Sequence, residues 1–430
     1  MICMQCNIFH LKIACHIRFI FYVVLLICVS CDDPIPVVIE KEENGIYFSM
    51  VQMKVTIRNT SNRGLDKELI CEVQTDNHKA VETLSYPVLV GANEKIEQEI
   101  VFEPPAPGIY RCIVYIRDGS QNSDKLQFNI GYDPEQIISP ADSKADFDSF
   151  WEQTKAELSQ IDPKYTMTLL REYSTGLRNI YLVKMKSYGN VEIAGYYAVP
   201  KTGESFPVVL DYTGYGGGDE IPASELFPGK CVFRLSSRGQ GIQKNRNIYG
   251  EWMVYGLGSK DTYYYRGAYM DVIRAVDFVC SRPEIDQSEI IASGGSQGGA
   301  FAVVASALDS RIKICSIAYP FFSDFRNNFN IVTKWPKDVF QKYLNGHSKQ
   351  SWDNLYDILS YFDVKNFAPK IQCPVFVRIS LQDPICPPHT QFAIYNLVRS
   401  KKEYYVCRSC KHDMDLESVP LVDNFIARNL

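Results

Sequence analysis

The sequence predicts an α/β protein, with a mostly parallel sheet flanked by helices, preceded by a small all-β sandwich of immunoglobulin-like kind. Three observations carry this. From about Asn179 onward, short apolar runs alternate with helical stretches, as in a parallel sheet covered on both faces. Between about Pro36 and Ile130 there are only short alternating stretches separated by turns. Residues 290–300, Ile-Ile-Ala-Ser-Gly-Gly-Ser-Gln-Gly-Gly-Ala, read as the end of a buried strand, a sharp turn and an Ala-rich helix. With 430 residues, two or three domains are expected. The boundaries read are 1–31, 32–131 and 132–430.

The first segment is an export signal by pattern. Lys12, His16 and Arg18 precede the apolar run Phe19 to Val29, which is too short to span a membrane but long enough for a signal-peptide core. Cys28-Val29-Ser30-Cys31 follows, then Asp32-Asp33. A small residue and then cysteine after an apolar core resembles a bacterial lipobox. Cys31 is therefore the expected lipidation site, and the expected location is a membrane-anchored lipoprotein, periplasmic or at the cell surface. Of 14 cysteines, five lie within the first 31 residues. No Cys-x-x-Cys pair is accompanied by suitably spaced histidines, so no metal site is expected. A net charge of −5 gives no reason to expect nucleic acid as a partner.

In the sandwich, strands are expected at Tyr47 to Ile57, Glu68 to Gln74, Ile96 to Phe102 and Gly108 to Ile116. Cys71 and Cys112 are expected either to bridge the two sheets or to stay as buried thiols. A structural module is the plainer reading of this region, and carbohydrate binding the other. Gly131 to Ala145, with two prolines and many polar residues, reads as a linker. Helices are expected at Phe147 to Leu158, Tyr264 to Cys280 and Leu416 to Arg428. Strands are expected at 179–185, 191–199, 207–212, 231–235, 312–317, 374–379 and 403–407.

Gly294-Gly295-Ser296-Gln297-Gly298 fits G-x-S-x-G, and its strand-turn-helix setting is that of a nucleophile elbow. A serine hydroxyl needs a base, and the base needs an orienting carboxylate. Of the six histidines, three lie outside this domain; His347 is in a polar stretch, His389 starts a helix, and His412 follows the last strand. Asp383 follows the strand at 374–379. The order Ser296, Asp383, His412 is that of an α/β-hydrolase. The oxyanion donors expected are the N–H groups of Gln297, directly after the serine, and of Tyr215 in the loop Thr213-Gly214-Tyr215-Gly216-Gly217-Gly218, with Gly216 second.

With these residues in view, the chain resembles the acetyl xylan esterase and cephalosporin-C deacetylase family of α/β-hydrolases. The matching segments are Asp146 to Trp151, Gly214 to Gly217, Arg238-Gly239-Gln240-Gly241, Tyr263 to Arg266, Gly294 to Gly299 and Asp383 to Pro388. The resemblance implies Ser296 as nucleophile, His412 as base, Asp383 as its acid, Tyr215 and Gln297 as oxyanion donors, and Arg238 and Gln240 in support. It implies deacetylation of acetylated xylan, xylo-oligosaccharides or small acetyl esters, without metal or cofactor. It also allows a homo-oligomer, since members often form hexamers. Two departures stand out. The family has His-Glu where this chain has His412-Asp413, so Asp413 is expected to pair with Arg238. The sandwich and lipobox are not usual in the family. Two rival readings are a secreted prolyl-oligopeptidase-like peptidase, whose propeller blades are missing here, and an inert glycan-binding lipoprotein.

Overall fold

A computed structural model describes residues 35–41 and 45–430. Cys31 and the rest of the expected signal lie outside the described residues. Ile35–Leu430 form one compact unit. No described helix is long and apolar enough to cross a membrane.

The described residues begin with nine strands: β1 (Val37–Lys41), β2 (Ile46–Tyr47), β3 (Val51–Asn59), β4 (Leu65–Thr75), β5 (Ala80–Val90), β6 (Lys95–Phe102), β7 (Gly108–Asp118), β8 (Gln121–Asn122) and β9 (Leu126–Tyr132). They make a three-stranded sheet, β1-β3-β6, and a second sheet, β2-β9-β7-β4-β5, with β8 paired to β7. Side chains alternate between faces along a strand. In β3 this buries Val51, Met53, Val55 and Ile57, which share one apolar core with Leu69, Val73, Val114, Phe128 and Ile130 of the other sheet. Strands β5 and β9 were not expected from the sequence. Much of β5 is exposed and it contains Pro87, which a sheet tolerates because β5 is an edge. The expectation that Cys71 and Cys112 bridge two sheets fails. They sit on β4 and β7, neighbours in one sheet, where Val73 rather than Cys71 faces Cys112. Both are buried free thiols.

The stretch Gly131 to Ala145 is not a loose linker. Asn396 Nδ2 donates to the carbonyls of Pro134 and Ile137, each at 3.1 Å. Ser139 Oγ donates to Asp324 at 2.5 Å, and the Asp142 N–H to Asn366 at 2.9 Å. The stretch is therefore hydrogen-bonded to residues far along the chain and is not a solvated spacer. Farther up the chain, Asn129 of β9 and Gln382 exchange two bonds, of 2.7 and 3.0 Å. His389 Nδ1 lies 2.7 Å from Asp76 Oδ2. Burial pulls the His389 pKa down, but the bond and charge of Asp76, with Asp324 behind it, outweigh burial and raise it above the ordinary histidine value. A raised folded-state pKa contributes stability that is present below the unfolded value and lost as pH rises through the folded one. His389→Gln should therefore lower Tm more at pH 6 than at pH 9, read by thermal melts; an equal deficit at both would remove the charged pair from the account.

After helix α1 (Phe147–Ser159) come β10 (Thr166–Leu169), β11 (Arg178–Ser187), β12 (Val191–Pro200), β13 (Phe206–Tyr212), β14 (Cys231–Ser236), α2 (Tyr264–Cys280), β15 (Ile285–Gly295), α3 (Gln297–Leu308) and β16 (Ile314–Ala318). Then follow α4 (Phe325–Ile331), α5 (Lys337–Gly346), α6 (Trp352–Leu359), β17 (Val375–Ser380), α7 (Pro388–Leu397), β18 (Lys402–Cys407) and α8 (Ser418–Asn429). The nine later strands form one sheet, β10-β11-β12-β14-β13-β15-β16-β17-β18. It is antiparallel as far as the β12–β14 pair and parallel from β14 to β18. Alternate residues of the central strands serve opposite faces. Val208, Leu210, Ile290 and Ala292 join the core with α2 and α3. Val209, Ile291, Ile314 and Phe376 pack under Val422, Phe425 and Ile426 of α8. The carboxyl ends of β13, β15, β17 and β18 lead into the loops that hold the site, as open parallel sheets do.

Candidate active site

Ser296 stands between β15 and α3 with φ of 56° and ψ of −124°, a conformation that side-chain-bearing residues rarely adopt. The turn closes only because its neighbours lack side chains. A Cβ on Gly298 would meet the Tyr212 carbonyl oxygen at 1.9 Å, and one on Gly294 would meet the Gly298 backbone at 2.4 Å. The hydroxyl is thereby lifted to the start of a helix, whose dipole favours negative charge there.

The structure brings Ser296, His412 and Asp383 together. His412 Nε2 lies 3.0 Å from Ser296 Oγ, and His412 Nδ1 lies 2.8 Å from Asp383 Oδ2. Asp383 is 2% exposed, and its other oxygen accepts the N–H groups of Ile385 (2.8 Å) and Cys386 (2.9 Å). Burial pushes its pKa up, and His412 with these two amides restores only part of the difference. The His412 ring also rests against Tyr319, with centroids 4.9 Å apart. The other two histidines go elsewhere: His347 stacks on Tyr343, and His389 reaches Asp76.

Of the expected oxyanion donors, Gly216 is committed, since its N–H donates to Gln240 Oε1 at 2.8 Å. Gln297 opens α3, so its N–H has no acceptor within the helix. Tyr215 lines the same cavity as Ser296 and His412. Gln240 joins the two donor-bearing loops. Besides holding Gly216, its Oε1 accepts from Gln297 Nε2 at 3.1 Å, and its Nε2 donates to Tyr264 Oη at 2.9 Å. Tyr265 Oη donates to Gln297 Oε1 at 3.0 Å. Tyr264 and Tyr265, in the first turn of α2, thus orient these side-chain amides.

The expected Asp413–Arg238 pair is absent. Arg238 is buried against Asp271, at 2.6 Å from Nη2 to Oδ1 and 2.9 Å from Nε to Oδ2, and also reaches the Tyr188 carbonyl. A Cβ at Gly267 would stand 1.9 Å from the guanidinium, so α2 has a glycine where the arginine crosses it. Asp413 instead accepts the Lys411 N–H at 2.8 Å, and its carbonyl accepts Ser380 Oγ at 2.6 Å. The shorter carboxylate folds back on its own loop and shapes the turn around His412.

Two features escaped sequence reasoning. A Cys407–Cys410 disulfide closes the turn just before His412. Its Cys-x-x-Cys spacing was the available signal, weighed only for zinc. The cavity over Ser296, of about 1010 Å³, is lined also by Trp335, Tyr319 and Arg378, which no motif marks.

Residues 135–420 match the family described as acetyl xylan esterase (AXE1). The acetyl esterase Axe7A of Xylanibacter ruminicola is 28% identical over 298 residues, which is 66% of this chain and 66% of that protein. An acetyl xylan esterase from Paenibacillus sp. R4 superposes with a TM-score of 0.65 at 32% identity, covering 69% of this chain and 98% of that one. Acetyl xylan esterase 1 from Thermoanaerobacterium sp. JW/SL YS485 shares the fold, with a TM-score of 0.64 at 24% identity over 69% of this chain and 97% of its own. With two thirds of its length matched, and an α/β-hydrolase sheet carrying a serine, a histidine and an aspartate within hydrogen-bond reach, the chain belongs to the acetyl xylan esterase family.

Proposed function

We propose that this protein is a carbohydrate esterase that removes acetyl groups from xylan, xylo-oligosaccharides and small acetyl esters such as cephalosporin C. The relay from Asp383 through His412 to Ser296 carries the reading. With Nδ1–H held by Asp383, the lone pair of Nε2 faces Ser296 Oγ. Ser296 attacks the acetyl carbonyl as Nε2 takes its proton. The N–H groups of Tyr215 and Gln297 hold the tetrahedral oxyanion. Collapse expels the sugar oxygen, which receives the proton from His412. Water, activated by the same imidazole, then releases acetate and restores the serine. The test is acetate release from a panel of acetylated xylo-oligosaccharides beside butyryl and peptide substrates. Preference for acetyl esters is expected; cleavage of the peptides alone would overturn the reading.

Gln240 acts through the amides it aligns. Outright loss of one oxyanion donor costs about a hundred- to a thousandfold in rate. Displacement should cost less, so Gln240→Ala should lower kcat for p-nitrophenyl acetate by about tenfold to a hundredfold. Unchanged kcat would reduce Gln240 to a packing residue.

The division into an immunoglobulin-like sandwich (32–131) and an esterase domain (132–430) belongs to the same proposal, supported by a family match that starts at residue 135. So does anchoring by lipid on Cys31. The apolar run before Cys31 supports it, as does the Cys407–Cys410 disulfide, which suits an oxidising compartment. Cys31→Ser should release the protein from the membrane fraction; continued membrane retention would reject the lipid anchor.

A further inference from the structure

We propose that Arg378 forms a carboxylate-binding subsite beside Ser296, so that the preferred substrate carries a carboxylate close to its acetyl ester. This deepens the esterase reading and rests on it.

Arg378 lies on β17, opposite Ala318 and Tyr405 in the sheet, five residues before Asp383. It lines the same cavity as Ser296, His412 and Tyr319. Its Nε is buried and makes no hydrogen bond. Among the described residues, none of its nitrogens has an ion-pair partner, whereas Arg234, the other arginine of that cavity, is paired with Asp211 at 2.7 Å. Burial pulls the Arg378 pKa down, and the nearby Tyr319 phenol and Asp415 carboxylate offset this only in part. Arginine nevertheless stays protonated in proteins. The site therefore holds a largely desolvated cation with no ion-pair partner, an arrangement that costs stability unless something answers it.

A planar guanidinium fork matches a carboxylate with two parallel hydrogen bonds, better than it matches any neutral hydroxyl. Glu220, Glu225 and Asp423 also line the cavity and repel an anion elsewhere in it. The guanidinium is thus where an anion is accommodated. The carboxylate has two chemical sources: a hexuronic acid unit on the sugar side of the ester, or a second carboxyl on the acyl side.

The experiment uses the full chain, Arg378→Gln and Arg378→Lys. It compares kcat/KM on acetylated xylo-oligosaccharides with and without a hexuronic acid unit, and on p-nitrophenyl hemisuccinate against p-nitrophenyl acetate. In Arg378→Gln the charged-to-neutral ratio should fall about tenfold or more, the loss expected for a charge-assisted bond. Arg378→Lys should retain part of it. A fall in the oligosaccharide ratio alone places the carboxylate on the sugar; a fall in the hemisuccinate ratio alone places it on the acyl group. Ratios unmoved in both would overturn the subsite. Binding of glucuronate to the parent protein, followed by calorimetry against neutral glucose, reads the subsite without any variant or turnover. Equal binding of the two would also sink it. If p-nitrophenyl acetate is not hydrolysed at all, the esterase reading fails, while glucuronate binding still decides the subsite.

Discussion

Ser296→Ala should abolish turnover of p-nitrophenyl acetate almost entirely. Loss of the nucleophile in another serine hydrolase costs about a millionfold in kcat, and nothing in this site replaces the missing oxygen. The change removes one atom from a position held by backbone, not by the side chain: the strained φ of 56° is imposed by close passage of Gly298 and Gly294 against neighbouring main chain. Folding should therefore survive, and the melting curve should match the parent's. The oxyanion amides and the cavity remain, so substrate should still bind. Retention of most esterase activity by the folded variant would place the chemistry elsewhere.

Asp383→Asn should lower kcat by about ten-thousandfold while leaving the structure intact, the size of loss such a change causes in a related triad. An asparagine Oδ1 can still accept the Ile385 and Cys386 N–H groups that hold the loop. Its amide, however, would donate toward His412 Nδ1, where the carboxylate accepted at 2.8 Å. The imidazole would then turn its own N–H toward Ser296 and lose its ability to take a proton. Acid does the same to the parent. Because burial raises the Asp383 pKa, activity should fall on acidification at a higher pH than a solvated aspartate would give. A steady-state pH profile of parent and variant reads both effects. A variant within tenfold of the parent would mean that the carboxylate does not orient the base.

The sheet and its reacting residues were legible because they are written locally. The glycines around Ser296 announce an elbow. Asp383 and His412 each follow an apolar run read as a strand; chain order set aside His347, and its place after the last strand favoured His412 over His389 at a helix start. The β-rich region was less legible. Its β5 exposes much of its length and carries a proline, and alternation cannot tell which strands become neighbours, so a Cys71–Cys112 bridge across two sheets stayed open beside the two buried thiols found.

Amino-acid order by itself determined the kind of fold, the strand-elbow-helix around Ser296 and the identities of its partners. These depend on short-range rules of periodicity and steric room. Only the tertiary structure decided what lies across space. It gave Arg238 to Asp271 rather than Asp413, tied Gln240 to both donor-bearing loops, bound residues 131–145 to Asp324, Asn366 and Asn396, and left Arg378 without an ion-pair partner. The reason is physical. Which buried polar group meets which depends on how separate elements pack, and partners more than a hundred residues apart, such as Ser139 and Asp324, leave no periodic trace in the chain.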